Sequence, residues 1–110
     1  MQIIWFLAPT VALCAQHHEY LQLNIPSVLI KMLIGADGVD RWTEQRQWDT
    51  VLKDVKVVVS SYQVLLDALT HGFVRMGRLS LIIFDEGEYH AHLYLLNKRF
   101  FQTLLNVYST

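Results

Sequence analysis

Apolar and polar positions alternate along this chain in a strand–helix rhythm. Ile3-Ile4-Trp5-Phe6-Leu7 is a continuous apolar run closed by Ala8-Pro9, the pattern of a strand buried on both faces. Thr10 then opens a segment in which Val11, Cys14, Ala15 and His18 recur at i, i+3, i+4 and i+7, predicting an amphipathic helix with that stripe inward. The helix must stop before Pro26, because a residue preceding proline is pushed out of the α region. Val28 to Ile34 reads as a second strand, closed by the turn cluster Gly35-Ala36-Asp37-Gly38. Arg41 to Lys53 places Trp48, Val51 and Leu52 on one helical face.

Lys56-Val57-Val58-Val59 is short and β-branched, a third buried strand. Ser60-Ser61 offers a hydroxyl cap to a helix carrying Val64, Leu65, Ala68 and Leu69, and Gly72 is its expected stop. After a link containing Arg75 and Arg78, Leu81-Ile82-Ile83-Phe84 forms a fourth strand. Continuous apolar strands alternating with helices predict an α/β fold, a parallel sheet covered by helices on both faces. The character changes after Phe84: Leu93, Leu96, Phe100 and Leu104 fit the stripe of a C-terminal packing helix.

Composition narrows the classes. The length of 110 residues suits one compact domain or part of a larger one. With 53% apolar and 17% charged residues, disorder and coiled coil are excluded for the whole chain. A single cysteine excludes an internal disulfide framework and a Cys-cluster zinc site. A net charge of −1 excludes a broadly basic nucleic-acid wrapper, but not local phosphate contacts. Met1 to Ala15 imitates a signal peptide, yet no Lys or Arg precedes the apolar run, Pro9-Thr10 interrupts it and an ordered pattern follows. No run reaches the roughly 18 apolar residues of a membrane span. The expectation is an intracellular protein, cytoplasmic or nuclear, with no membrane partner.

Asp85-Glu86 is the strongest chemical signal. In open α/β sheets ligands sit beyond the carboxyl ends of the strands, where this pair would emerge from the fourth strand. An Asp there can hold Mg²⁺, which takes oxygen ligands, and the adjacent Glu can orient or deprotonate a water attacking a phosphate. Ala8-Pro9-Thr10, Gly35 to Gly38 and Ser60-Ser61-Tyr62-Gln63 should open on the same edge, offering small polar groups suited to a nucleic-acid backbone. Weaker candidates stay with ordinary roles. His17-His18 and His90-x-His92 lack an i, i+4 partner for a metal, His18 fits a core-edge histidine, and Cys14 fits a buried small hydrophobe. Trp5 and Trp48 fall on buried faces, leaving Trp42 as a surface contact candidate; Arg41, Arg46, Arg75 and Arg78 fit a solvated surface.

Taken in order, FLAPTVAL, LIGADGVDRW, VVVSSYQVLLDALTHGFVRM and LIIFDE resemble the first RecA-like domain of superfamily 2 DExD/H-box helicases. Within these they resemble the helicase region of fungal Dicer-like proteins, particularly the Dicer-like protein 2 group, over residues 3–86. The resemblance implies a partial RecA-like sheet. It assigns Pro9-Thr10 to motif Ia, Gly35 to Gly38 to the motif Ib region and Ser61-Tyr62-Gln63 to motif Ic, where Ser61 replaces the usual Thr and keeps the hydroxyl. Pro9, Thr10, Gly35, Ser61 and Gln63 would then touch the RNA backbone. Asp85 and Glu86 match the Walker B pair of motif II, Asp85 for Mg²⁺ and Glu86 as the catalytic acid–base residue. ATP and Mg²⁺ are the implied cofactors; double-stranded RNA and the rest of the helicase domain are the implied partners, in RNA silencing.

Two departures qualify that picture. The family's P-loop, G-x-x-x-x-G-K-[ST], precedes the first of these strands, where this sequence has only Met1-Gln2, and the second RecA-like domain is missing too. No ATP hydrolysis or unwinding is therefore expected of the 110 residues alone. The alternatives are a non-catalytic fragment that binds RNA or docks on a helicase, and a gene-model remnant. Relatives also continue motif II as Asp-Glu-Ala/Cys-His, whereas here Gly87-Glu88 follow and His90 comes two residues too late. Gly87-Glu88-Tyr89 can be encoded by GGT-GAG-TAT, which contains the splice-donor sequence GTGAGT. Residues 1–86 are thus expected to be the partial helicase domain and 87–110 a divergent tail, read as translated intron.

Overall fold

The computed structural model describes residues 2–84 and 92–95. Strand β1 (Ile3–Leu7) leads into helix α1 (Val11–Asn24) and strand β2 (Ile30–Leu33). Two 3₁₀ turns (Gly35–Asp37 and Val39–Arg41) precede helix α2 (Gln45–Val51), strand β3 (Val57–Ser60) and helix α3 (Tyr62–Thr70). A third 3₁₀ turn (Met76–Arg78) enters strand β4 (Leu79–Phe84), and β5 (His92–Leu95) completes the sheet. Its order is β2-β3-β1-β4-β5. The first four strands pair in parallel and β5 runs antiparallel to β4.

The α/β reading is borne out, and the physical cause is visible in the core. Alternate side chains of β1 point to opposite faces. Ile3, Trp5 and Leu7 join Trp48, Leu52, Val58, Leu65 and Ala68 on one side. Phe6 joins Cys14, Val57 and Val59 on the other. Travel direction explains which helix goes where. Helix α1 carries the chain from β1 past β3 to β2, whereas α2 and α3 carry it the opposite way. Crossovers of a single hand then require α1 on one face and α2 and α3 on the other, as the two clusters show.

Three local expectations are corrected. Of the Val11/Cys14/Ala15/His18 stripe, Cys14 is buried and His18 half-buried, but Val11 is 57% exposed and Ala15 is exposed too, so only half of it faces inward. Helix α1 instead turns Leu13, Cys14 and Leu21 inward, with the His17 ring 4.4 Å from that of Phe6. Its apolar residues lie on more than one side, so spacing alone does not select the buried face. Helix α2 is shorter than Arg41 to Lys53, because the second 3₁₀ turn ends at Arg41 and Gln47 Oε1 anchors the start at Thr43 and Glu44 N–H (3.0 Å each). Residues 92–95 form a strand rather than helix, since pairing with the open edge of β4 satisfies backbone groups that a parallel edge leaves unpaired. The other stripe positions, Leu96, Phe100 and Leu104, lie outside the described residues.

Candidate nucleic-acid interface

Register brings the carboxyl ends of the parallel strands level. Leu33 pairs with Ser60, Ser60 with Leu7, and Leu7 with Phe84, giving one row across β2, β3, β1 and β4. The segments that follow Leu33, Ser60 and Leu7 therefore open on one rim, and β4 ends on it at Phe84. The adjacent strands β1 and β3 also send their outgoing helices to opposite faces, which makes the crevice between their ends the topological switch point of the sheet. Ala8 N–H donates to Ser60 O across that crevice at 3.0 Å. Asp85 and Glu86, which follow Phe84 in sequence, lie outside the described residues.

Each rim residue is held by its own local chemistry. Pro9 and Thr10 are exposed, and Thr10 is the N-cap of α1, its Oγ1 accepting from Leu13 N–H at 3.2 Å. A hydroxyl that accepts this way keeps its O–H to donate. Gly35 is exposed at the start of the first 3₁₀ turn. Gly38 adopts φ +77°, a conformation glycine takes without steric cost.

Ser60 and Ser61 divide the work that the sequence assigns to them jointly. Ser60 is fully buried; its Oγ accepts from Trp5 Nε1 at 2.7 Å and donates to Ser61 O at 2.9 Å. Ser61 occupies the N-cap position of α3, but its hydroxyl makes no capping bond, which corrects the expected hydroxyl cap. That hydroxyl is half-buried at the rim beside a helix start, where N–H groups have no intrahelical carbonyl.

Gly35, Ser61 and Gln63 line one groove of about 370 Å³ between the 3₁₀ turns, α2 and α3. Pro9 and Thr10 stand on the same rim outside it. Trp42, half-buried as the surface candidate, lines the groove with its ring edge-on to Trp48 at 5.2 Å. Trp5 and Trp48 are buried, as expected. Asp67, His71 and Phe73 also line the groove and were not picked out from the sequence. The signal was present: Gln63, Asp67 and His71 follow each other at i+4 along α3, one helix face. Gln63 Nε2 donates to Asp67 Oδ1 at 2.7 Å, and His71 Nδ1 lies 2.8 Å from Asp67 O. The end of α3 then delivers Phe73. Gly72, at φ +76°, follows the C-cap His71; Gly72 N–H donates to Leu69 O (3.1 Å) and Phe73 N–H to Ala68 O (2.8 Å), a Schellman turn.

The other candidates keep structural roles. Cys14 is buried, and His18 is half-buried with Nε2 3.4 Å from Ile30 O. No three His, Cys, Asp or Glu side chains converge among the described residues, and no described helix is long and apolar enough to cross a membrane.

Comparison with known proteins bears out the resemblance read from the motifs. The DEAD/DEAH box helicase family matches residues 2–106. The chain is 52% identical over 97 residues to Dicer-like protein 2 of Neosartorya fischeri, covering 88% of this chain and 7% of that protein. It is 60% identical over 85 residues to Dicer-like protein 2 of Neurospora crassa, covering 77% of this chain and 6% of that protein. Dicer-like protein 2-1 of Aspergillus niger is 48% identical over 97 residues. The chain thus spans 6–7% of the length of these curated relatives.

Proposed function

The chain belongs to the DEAD/DEAH box helicase family, and we propose that it is the RNA-gripping part of an ATP-dependent RNA helicase domain of a Dicer-like protein, acting on double-stranded RNA in silencing. The observation that carries this reading is the level row Leu33–Ser60–Leu7–Phe84, which gathers three polar turns on one rim. Thr10 and Ser61 hydroxyls, the Gly35 backbone, Pro9 and the Gln63 amide contact the RNA sugar–phosphate chain there. Contacts of this kind position a strand without reading its sequence.

Asp85 and Glu86 come next in sequence after the rim residue Phe84, and paired carboxylates fit a hard Mg²⁺ ion. Asp85 is the residue to hold the metal of bound Mg²⁺-ATP, and Glu86 the one to take the proton of the attacking water. The metal's contribution would be to neutralise charge on the phosphates. These 110 residues contain no G-x-x-x-x-G-K-[ST] run to cradle those phosphates. The polypeptide alone therefore binds RNA but turns over no ATP, and turnover requires the rest of the helicase domain.

Anisotropy of a labelled RNA duplex, titrated across a salt series, tests the RNA reading; an ATPase assay with and without RNA tests the other half. The expected result is binding that weakens with salt, without ATP turnover. Absence of binding at low salt overturns the first claim, and RNA-stimulated turnover by contaminant-free chain overturns the second. The boundary at Glu86 is tested by the spliced transcript: an uninterrupted exon through Thr110 removes the intron reading.

A second reading, docking onto the remainder of a helicase domain, draws on α1. Tyr20 and Leu23 on that helix and Leu29 beyond it are exposed. Co-elution with the remaining helicase domain of a Dicer-like relative, abolished by Leu23→Lys, would support it; no co-elution would remove it.

A further inference from the structure

The groove beside the rim differs from its surroundings. Its described lining contains one carboxylate, Asp67, and neither Lys nor Arg. That lining gives a phosphate no cationic partner inside the groove, so the backbone stays at its mouth, beside Gly35 and Ser61. What it offers instead is a set of flat rings. Trp48 and Phe73 are stacked with centroids 5.6 Å apart and planes 12° apart, and His71 continues the series from Phe73 at 5.9 Å and 17°. Trp42 stands across this series, at 88° to Trp48. Trp48 is buried and holds the Trp42 backbone through Nε1 to O at 3.1 Å, so the ring cluster is fixed from below. His71 is exposed and Trp42 and Phe73 are half-buried, which leaves ring surface open to the groove.

Building on the reading of the rim as an RNA-backbone contact, we propose that this groove receives a single unpaired nucleobase from the strand lying on it. The ring cluster gives the base a stacking surface, a contact every base can make through its π-face. One Asp67 carboxylate oxygen is engaged by Gln63 Nε2, and the other accepts from an exocyclic amine such as that of cytosine. The volume of about 370 Å³ lies in the usual range for small-ligand pockets. Gly35 and Ser61 line the same groove, so a backbone held at the rim passes directly over its mouth. The device distinguishes a frayed or single-stranded end, whose bases are free, from a continuous duplex, whose bases are stacked away.

The test compares two probes on the full 110-residue chain: a labelled ten-nucleotide oligocytidine and the same strand with every base removed. Backbone charge is equal in the two, so any difference reports the bases. The expected result is tighter binding of the oligocytidine by roughly five- to 150-fold, the gain expected from one stacked base. His71→Ala, at an exposed position, should narrow the gap with an unchanged circular dichroism spectrum; Trp42→Ala should narrow it further. Equal affinity for both strands overturns the nucleobase pocket and leaves the rim reading standing. Failure to bind either strand overturns the rim reading and the pocket with it.

Discussion

The indole Nε1 of Trp5 donates to Ser60 Oγ at 2.7 Å inside the sheet, with both residues fully buried. That bond joins β1 to β3 beneath the switch-point crevice, and the Ser60 hydroxyl in turn donates to Ser61 O at the rim. A polar pair in an apolar layer is tolerable only while both members are satisfied. Ser60→Ala strands the indole N–H and should destabilise the chain by about 1–3 kcal/mol. Trp5→Phe adds a packing loss, and the double variant should cost less than the two singles summed. Urea midpoints of the four proteins check this; strict additivity would mean that the bond contributes nothing.

The two rim hydroxyls at helix starts should behave differently. Thr10 caps α1, so Thr10→Ala should lower stability by about 1 kcal/mol, and Thr10→Ser should restore most of it. Ser61 makes no capping bond, so Ser61→Ala should change stability by under about 0.5 kcal/mol. Both alanine variants should weaken RNA binding, and equally for strands of different sequence. Denaturant unfolding combined with anisotropy separates the effects; a large stability loss in Ser61→Ala would contradict the observed N-cap geometry.

Gly72 ends α3 at φ +76°, and a Cβ built there meets nothing within 4 Å. Backbone strain is then the whole cost of Gly72→Ala, about 1–2 kcal/mol. Gly72→Asn should cost less, because Asn tolerates this region. Equal midpoints for all three chains in urea would show that the turn relaxes.

Leu52, the C-cap of α2, is fully buried in the core, while Leu23 on α1 is 74% exposed. Leu52→Ala should lose about 2–5 kcal/mol, whereas Leu23→Lys should stay within about 0.5 kcal/mol. Thermal unfolding of the pair is sufficient to check it.

The strand runs and most helix limits were legible because their signals are local. Ile3–Leu7 is a strand because five apolar residues in succession can be satisfied on both faces of a sheet. Asn24 is the last residue of α1 because Pro26 forbids continuation, and Gly72 takes the left-handed region without a Cβ penalty. Helix phase was less legible. Val11 and Leu23 are as apolar as Leu13 and Leu21, and only contact with Phe6 and Ile30 chooses between those faces.

Residue order alone specified an α/β chain with the helicase motifs in sequence, because apolar periodicity, proline, glycine and short polar turns act over a few neighbours. Folding in three dimensions determined which distant residues meet. Gly35, Ser61 and Phe73 share a groove because β2 and β3 stop level and a Schellman turn carries the chain back. Trp5 and Ser60 find one another because parallel pairing sets β1 beside β3 in a register that no local pattern encodes.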